Sequence, residues 1–135
     1  MNNEELADYL SSRLNEKGFI IHRYDAISTS SIYLKLDFGV CNSIRISDHT
    51  GKKHLKYRYN IGSGIKKQRH VNDKFDRYYF PANEADRLID KILSYRKWKV
   101  KRYGEQKYKE YIEDNKKKSL YSKGFWQGAK EVTVI

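Results

Sequence analysis

The sequence predicts an α+β fold: an antiparallel sheet of four to five strands, with an N-terminal helix and C-terminal helices packed mainly on one face. Apolar residues recur at helical spacing near both ends of the chain and at a period of two between residues 19 and 80. Hydrophobic residues make up 39% of the 135 positions, enough for one buried core. We therefore expect a single domain over 1–135, comprising a helix and sheet (1–80), a basic helical part (81–118) and an aromatic C-terminal tail (119–135).

The first helix is predicted to begin after Asn2 or Asn3, whose side chains can accept a hydrogen bond from the first helical turn. Its apolar face repeats every four residues, at Leu6, Leu10 and Leu14. Gly18 follows where a residue in the left-handed conformation commonly ends a helix. The helix is therefore short and amphipathic, and we expect it to cover one face of the sheet.

Five segments have the alternation of strands, namely 19–24, 31–38, 42–47, 54–61 and 75–80. In the second segment, one face carries Ile32, Leu34, Leu36 and Phe38. If the aliphatic faces lie against the helices, the opposite face of the sheet carries Tyr33, Lys35, Arg45, Lys56 and Arg58. This solvent-facing side of the sheet is therefore predicted to be cationic.

The remaining elements are predicted to be helical. Pro81 ends the last strand, and Asn83 is a suitable N-cap for a second helix that extends to Tyr103. Gly104 separates it from a third, more exposed helix over 105–118. The aromatic tail ends in a β-like segment that we expect to dock back on the sheet.

The net charge of +11 favours an acidic partner such as nucleic acid, an anionic membrane or an acidic protein surface. The charge is uneven along the chain. Residues 1–50 hold five Lys and Arg against seven Asp and Glu, residues 51–80 hold nine against two, and residues 81–135 hold fourteen against eight. This distribution assigns the basic partner surface to the middle and C-terminal parts of the chain.

Cysteine content and hydropathy favour a soluble protein of a reducing compartment. Cys41 is the only cysteine, which excludes an internal disulfide and a multi-cysteine metal site. The N-terminus lacks the basic start and apolar run of a signal peptide, and no apolar run approaches the length of a membrane span. We expect no cofactor and no membrane partner.

Catalytic interpretations are weaker than structural ones. Adjacent residues point in different directions at a strand end, so Ser47-Asp48-His49 is better explained as the start of a turn than as a catalytic triad. Gly62-Ser63-Gly64 lacks the Lys-Ser/Thr ending of a phosphate loop and is better explained as a flexible basic loop. The Glu-x-Lys pair at 105–107 falls at a helix start rather than beside a metal-binding Asp.

The four histidines, His22, His49, His54 and His70, show no helical zinc-binding spacing. Of these, His54 and His70 could act as acid and base on RNA only if the fold brought them together. Neither zinc binding nor RNA cleavage is the favoured interpretation, and no metal is expected.

The strongest functional signal is a mixture of basic and aromatic residues, because Lys and Arg neutralise phosphates while aromatic rings stack on bases. It occurs in residues 54–59 and more densely in residues 95–103. The predicted partner- or nucleic-acid-binding residues are Tyr33, Lys35, Arg45, Lys56, Arg58, Lys66, Lys67, Arg69, Arg96, Lys97, Lys99, Lys101 and Arg102.

Three stretches carry a resemblance to a known family: SIYLKLDFGVCNSIRISDH (31–49), KYRYNI (56–61) and YSKGFWQGAKEV (121–132). They resemble small basic phage proteins, the anti-CRISPR inhibitors of the type II RNA-guided nuclease, in which a Ser-x-Tyr strand precedes an Ile-Arg-Ile/Leu-Ser-x-His strand. The matching positions here are Tyr33, Arg45, Ser47 and His49.

The resemblance implies a non-enzymatic inhibitor that binds the nuclease, its guide RNA or its DNA and blocks DNA cleavage. An inhibitor that mimics DNA should be acidic, so the net charge of +11 favours contact with nucleic acid or with acidic patches of the nuclease. The alternative is a stand-alone nucleic-acid-binding module, such as a phage regulator or an RNA-binding protein.

Overall fold

The computed structural model describes residues 2–26, 30–48, 55–61, 76–121 and 125–132. Within these ranges the α+β prediction is confirmed: one antiparallel sheet is accompanied by an N-terminal helix and two C-terminal helices. The sheet has six strands, one more than the upper limit predicted from the sequence.

The first helix, α1 (Asn3–Glu16), begins as its sequence predicts. The Asn2 side chain accepts from the Glu5 backbone N–H at 2.8 Å, and the Glu5 carboxylate accepts from the Asn2 N–H at 3.1 Å. Gly18 has a φ of 85° just after the helix, a conformation that glycine adopts without steric cost. The predicted apolar face is fully buried, at Leu6, Leu10 and Leu14.

The strands are β1 (Ile21–Asp25), β2 (Ile32–Leu36), β3 (Ser43–Ile46), β4 (Tyr57–Ile61), β5 (Asp76–Phe80) and β6 (Lys130–Glu131). Their order in the sheet is β5-β4-β3-β2-β1-β6. The first five strands therefore form a continuous antiparallel series. The sixth is contributed by the tail, which pairs His22 with Glu131 and Arg23 with Lys130 beside β1.

The core lies between one face of the sheet and the helices. Leu34, Ile44 and Tyr59 are aligned across β2, β3 and β4 and are fully buried. They pack in one hydrophobic cluster with α1 and with Leu88 and Ile92 of α2 (Ala85–Tyr103). Cys41 belongs to the same cluster, and burial raises the pKa of its thiol to about 12.

The connection from β2 to β3 differs from the prediction, which continued the strand through Phe38. The strand ends at Leu36, and Asp37, Phe38 and Asn42 have φ values of 50°, 54° and 65°. The reversal is closed by a hydrogen bond from the Leu36 N–H to the Asn42 carbonyl at 2.9 Å. Phe38 consequently leaves the core face, and its ring centroid lies 4.6 Å from that of His22.

The helix α2 and its N-cap begin one residue later than predicted. Asn83 lies inside a short 3-10 turn over Ala82–Glu84, and Glu84 is the N-cap residue. Gly104, with a φ of 91°, separates α2 from α3 (Glu105–Ser119), as predicted. α3 packs against α2 and the β2–β3 connection. As predicted, α1 and α2 lie on one face of the sheet.

Candidate nucleic-acid interface

Five residues form a row across the sheet on the face opposite α1 and α2. The strand register aligns Tyr24 with Tyr33, Tyr33 with Arg45, Arg45 with Arg58, and Arg58 with Tyr79. We call these five residues the Tyr–Arg row. At a spacing of about 4.8 Å between strands, the row is about 19 Å long. All five side chains are half-buried.

The centre of the row is fixed by contacts between β2 and β3. The Arg45 guanidinium donates from Nε and Nη2 to the Ser31 hydroxyl, at 3.4 and 3.3 Å. Its Cζ atom lies 5.7 Å from the centroid of the Tyr33 ring. Ser31 is only 1% exposed, so the acceptor is shielded from solvent. Within the described residues no carboxylate forms an ion pair with Arg45.

Lys35 lies beside the row on the same face of the sheet, two residues after Tyr33 in β2. It is aligned with His22 and Ser43, and its Nζ atom lies 4.7 Å from the centroid of the Trp126 ring. Burial lowers the pKa of the Lys35 ammonium. Burial also lowers the pKa of His22, partly opposed by Glu131, whose carboxylate lies 3.8 Å from Nε2. His22 is therefore mainly neutral at pH 7.

Lys56 does not share the solvent-facing surface predicted for it. It precedes β4, and its ammonium forms an ion pair with Asp48 and donates to the Asn3 side chain at 3.5 Å. These contacts place it at the end of the sheet near the start of α1. The physical reason is that Lys56 lies just before β4, where Asp48, just after β3, offers an opposite charge.

The basic residues of α2 lie on the other side of the molecule from the Tyr–Arg row, because α2 packs on the opposite face of the sheet. Arg96 donates to the Lys17 carbonyl at 2.6 Å, and its Cζ atom lies 3.7 Å from the centroid of the Phe19 ring. Lys99 donates to the Val40 carbonyl at 2.9 Å, and burial lowers its pKa. Both side chains connect α2 to other elements.

The other predicted residues of α2 are exposed, namely Lys97, Lys101 and Arg102. The structure therefore divides the predicted site into a sheet group (Tyr33, Lys35 and Arg45, with Arg58) and a separate helix group. Lys66, Lys67 and Arg69 lie outside the described residues, as do His49, His54, His70 and the Gly62-Ser63-Gly64 loop.

The turn interpretation of residues 47–49 is consistent with the part that the structure describes. Ser47 is buried, and its N–H donates to the Lys56 carbonyl at 3.0 Å across the hairpin. Asp48 is exposed and paired with Lys56. In the Glu-x-Lys pair at 105–107, Glu105 is the first residue of α3, as predicted. Lys107 forms an ion pair with Glu110 at 3.6 Å.

Sequence reasoning missed three contributors to this region. Ser31 supports Arg45, and its only signal was its place in the Ser-x-Tyr pattern. Trp126 meets Tyr33 edge-on, with ring centroids 6.1 Å apart, and no periodicity predicted this contact. Asp37 follows Lys35 by two residues, a spacing that in a continuous strand would put it on the solvent-facing side, yet it is 2% exposed and accepts hydrogen bonds from the Ile20 N–H and the Tyr108 hydroxyl.

Comparison of the chain with models of known protein families, with curated proteins and with solved structures finds no match. Within the described ranges, no group of three or more His, Cys, Asp and Glu side chains is arranged to hold a metal ion. Among the helices of that same part of the chain, none has the length and apolar character needed to cross a membrane.

Proposed function

We propose that this protein inhibits a bacterial type II CRISPR RNA-guided nuclease without itself being an enzyme. It binds the nuclease, or its complex with guide RNA or DNA, through the Tyr–Arg row and blocks DNA cleavage. The single observation that supports this most directly is the cluster of Ser31, Tyr33 and Arg45. Tyr33 and Arg45 belong to the two strands whose pattern resembles phage anti-CRISPR proteins, and Ser31 immediately precedes the first of these strands. The three residues meet at the centre of one surface.

The chemistry of the row suits a phosphate-bearing partner. A guanidinium presents several N–H donors in a planar fork that matches phosphate oxygens, and two of the Arg45 donors are directed to a neutral serine rather than to a carboxylate. Its positive charge is therefore not neutralised by an acid of the described chain. Tyr24, Tyr33 and Tyr79 place aromatic rings at intervals along the same line, where bases or sugar faces can pack.

The charge of the whole chain supports the same choice of partner. At +11, the protein is attracted to guide RNA, to bound DNA and to acidic patches of a nuclease, and it cannot imitate DNA electrostatically. As an inhibitor it acts in the cytoplasm of the bacterial host, where the nuclease and its guide are found.

A stand-alone nucleic-acid-binding module is the second candidate. The observation that favours it is the alternation of rings and guanidinium groups in the row, which suits a nucleic-acid strand whether or not a nuclease is present. The two candidates differ in what they require: the inhibitor needs the nuclease, whereas the module binds RNA or DNA by itself.

Size-exclusion chromatography at moderate salt distinguishes them. The protein is mixed with the nuclease and its guide, with the nuclease alone, and with guide RNA alone, and DNA cleavage is measured in parallel. We expect co-elution only when nuclease is present, and loss of cleavage at near-stoichiometric ratios. Co-elution with free RNA and undiminished cleavage would instead establish the nucleic-acid-binding module.

The matched variants are Arg45→Gln and Lys109→Gln, each of which removes one positive charge. Lys109 is exposed on α3, which contributes no residue to the Tyr–Arg row. We expect Arg45→Gln to weaken inhibition roughly tenfold, as expected for loss of a charge-assisted contact, and Lys109→Gln to leave it unchanged. Equal effects of the two variants would show that the row has no specific role.

A further inference from the structure

A groove of about 840 Å³ lies beside the Tyr–Arg row, between the sheet, the end of α3 and the 3-10 turn at Phe125–Gly128. Its lining residues include the aromatic Trp126, the basic Lys35 and Lys118, and the amides Asn115 and Gln127. The groove therefore combines an aromatic surface, positive charge and amide hydrogen-bonding groups. These are the three kinds of group that recognise a base, a phosphate and a base edge.

Lys35 is the cation that points most clearly to an anionic ligand. The side chain is half-buried, and within the described part of the chain no carboxylate forms an ion pair with it. Its ammonium lies against the Trp126 ring, and burial lowers its pKa. A partly desolvated cation without an acid gains more from a bound phosphate than an exposed lysine does. Lys118, on the last turn of α3, adds a second positive charge.

Trp126 supplies the aromatic surface. It is half-buried, and its ring is held by an edge-on contact with Tyr33 at 88° between the ring planes. Gly128, two residues on, lies close to the Tyr24 ring: a Cβ placed there would approach that ring to 3.5 Å. These contacts fasten the turn to the sheet and set the position of the indole at the edge of the groove.

The carboxamides complete the site. The Asn115 amide donates to the Phe38 carbonyl at 2.9 Å, which fixes the side chain of α3 against the β2–β3 connection. No further hydrogen bond of Asn115 is formed within the described residues, so its carboxamide oxygen is available to accept from a ligand. Gln127, which also lines the groove, is exposed.

We propose that this groove binds a single nucleotide, with the phosphate at Lys35 and Lys118, the base against Trp126 and the base edge at Asn115. The inference goes beyond the proposed function, because a nucleotide binds here whether or not the Tyr–Arg row holds a nuclease complex. The same chemistry is offered by a free mononucleotide and by an unpaired nucleotide of a strand.

Tryptophan fluorescence provides the test, because the chain contains only two tryptophans. Trp98 is 46% exposed on α2, so Trp98→Phe is expected to fold normally and leaves Trp126 as the sole reporter. This single-tryptophan protein is titrated at constant ionic strength with AMP, with a short single-stranded oligoadenylate, and with inorganic phosphate. Saturation by the oligonucleotide alone identifies a nucleotide within a strand, and saturation by AMP as well identifies a free nucleotide.

Lys35→Gln in the same background is expected to weaken binding of the nucleotide roughly tenfold, whereas Lys109→Gln should leave it unchanged. Arg45→Gln should also leave AMP binding unchanged, so failure of the groove and failure of the proposed function remain distinguishable. The inference is overturned if neither nucleotide gives a saturable signal, if phosphate alone binds as tightly as AMP, or if Lys35→Gln and Lys109→Gln behave alike.

Discussion

The hydroxyl of Tyr108 on α3 donates a hydrogen bond to the carboxylate of Asp37, 71 positions earlier in the chain. The other oxygen of Asp37, Oδ1, accepts from the Ile20 N–H at 2.9 Å. An Arg96 nitrogen lies 3.9 Å from Oδ2, the oxygen that accepts from Tyr108. One buried carboxylate therefore joins the start of β1, the β2–β3 connection, α2 and α3. Because α3 also forms one side of the nucleotide groove, this contact supports that site as well as the fold.

Tyr108→Phe is expected to lower the free energy of unfolding by about 1–3 kcal/mol. The substitution removes the donor and leaves the buried carboxylate with one hydrogen bond fewer. The loss of stability comes mainly from this unsatisfied carboxylate. Tyr111→Phe is the matched control, since within the described residues its contacts are made by the ring, with Tyr103 and Lys107. Urea denaturation measures both, and equal stabilities of the two variants would contradict the role given to Tyr108.

Asp37→Asn should change how stability depends on pH. Burial raises the pKa of Asp37 above its ordinary 3.8, and the hydrogen bonds from Tyr108 and Ile20 and the charge of Arg96 only partly oppose this. A raised native pKa means that the folded state binds the proton more tightly than the unfolded state. The resulting stabilisation is fully present below pH 3.8 and is lost as the pH rises through the native pKa.

The difference in unfolding free energy between the native protein and Asp37→Asn is therefore expected to decrease from pH 3.8 upwards and then become constant. Each pH unit between the two pKa values corresponds to about 1.4 kcal/mol. Asparagine tolerates the left-handed backbone conformation at position 37, so the substitution adds no backbone strain to the difference in unfolding free energy. Thermal or urea unfolding at a series of pH values measures the difference, and a constant difference over the whole range would refute it.

Arg96 and Lys97 are adjacent basic residues of α2 that differ in exposure, so they test whether contacts or charge stabilise the fold. Arg96→Ala removes the bond to the Lys17 carbonyl and the contact with the Phe19 ring, so we expect a loss of about 2–3 kcal/mol. Lys97→Ala removes the same charge from an exposed position and should change stability by less than about 0.5 kcal/mol. Urea denaturation of the two variants tests this, and equal losses would show that charge rather than contact matters.

Most of the fold could be predicted because local patterns and tertiary structure agree. Leu6, Leu10 and Leu14 have the helical spacing that their burial requires, and the alternation of β2, β3 and β4 matches the faces that they present. The predictions were wrong where contacts distant in sequence override alternation. Phe38 follows an apolar strand pattern, yet Asp37 turns the chain there because Tyr108 and Ile20 satisfy its carboxylate.

The candidate site was harder to predict, because the net charge of a sequence region does not show which of its residues share a surface. The first 50 residues are net acidic, yet they supply Tyr24, Tyr33 and Arg45 to the Tyr–Arg row. The denser basic run of α2 contains Arg96 and Lys99, whose nitrogens donate to the backbone carbonyls of Lys17 and Val40. Strand register brings the first set together, and register depends on pairings that composition does not contain.

Ser31→Ala tests whether Arg45 must be held in place to bind its partner. The variant removes the hydroxyl that accepts from Arg45 but keeps the guanidinium charge, so we expect affinity for the partner to fall about threefold to tenfold. Because no phosphate contact is removed, the slope of log affinity against log salt should stay the same, whereas Arg45→Gln should reduce it by about one. In the Arg45→Gln background, Ser31→Ala should have little further effect, since the two residues then no longer interact. Binding of the nuclease–guide complex at several salt concentrations measures all three variants, and an additive double variant would show that Ser31 acts independently of Arg45.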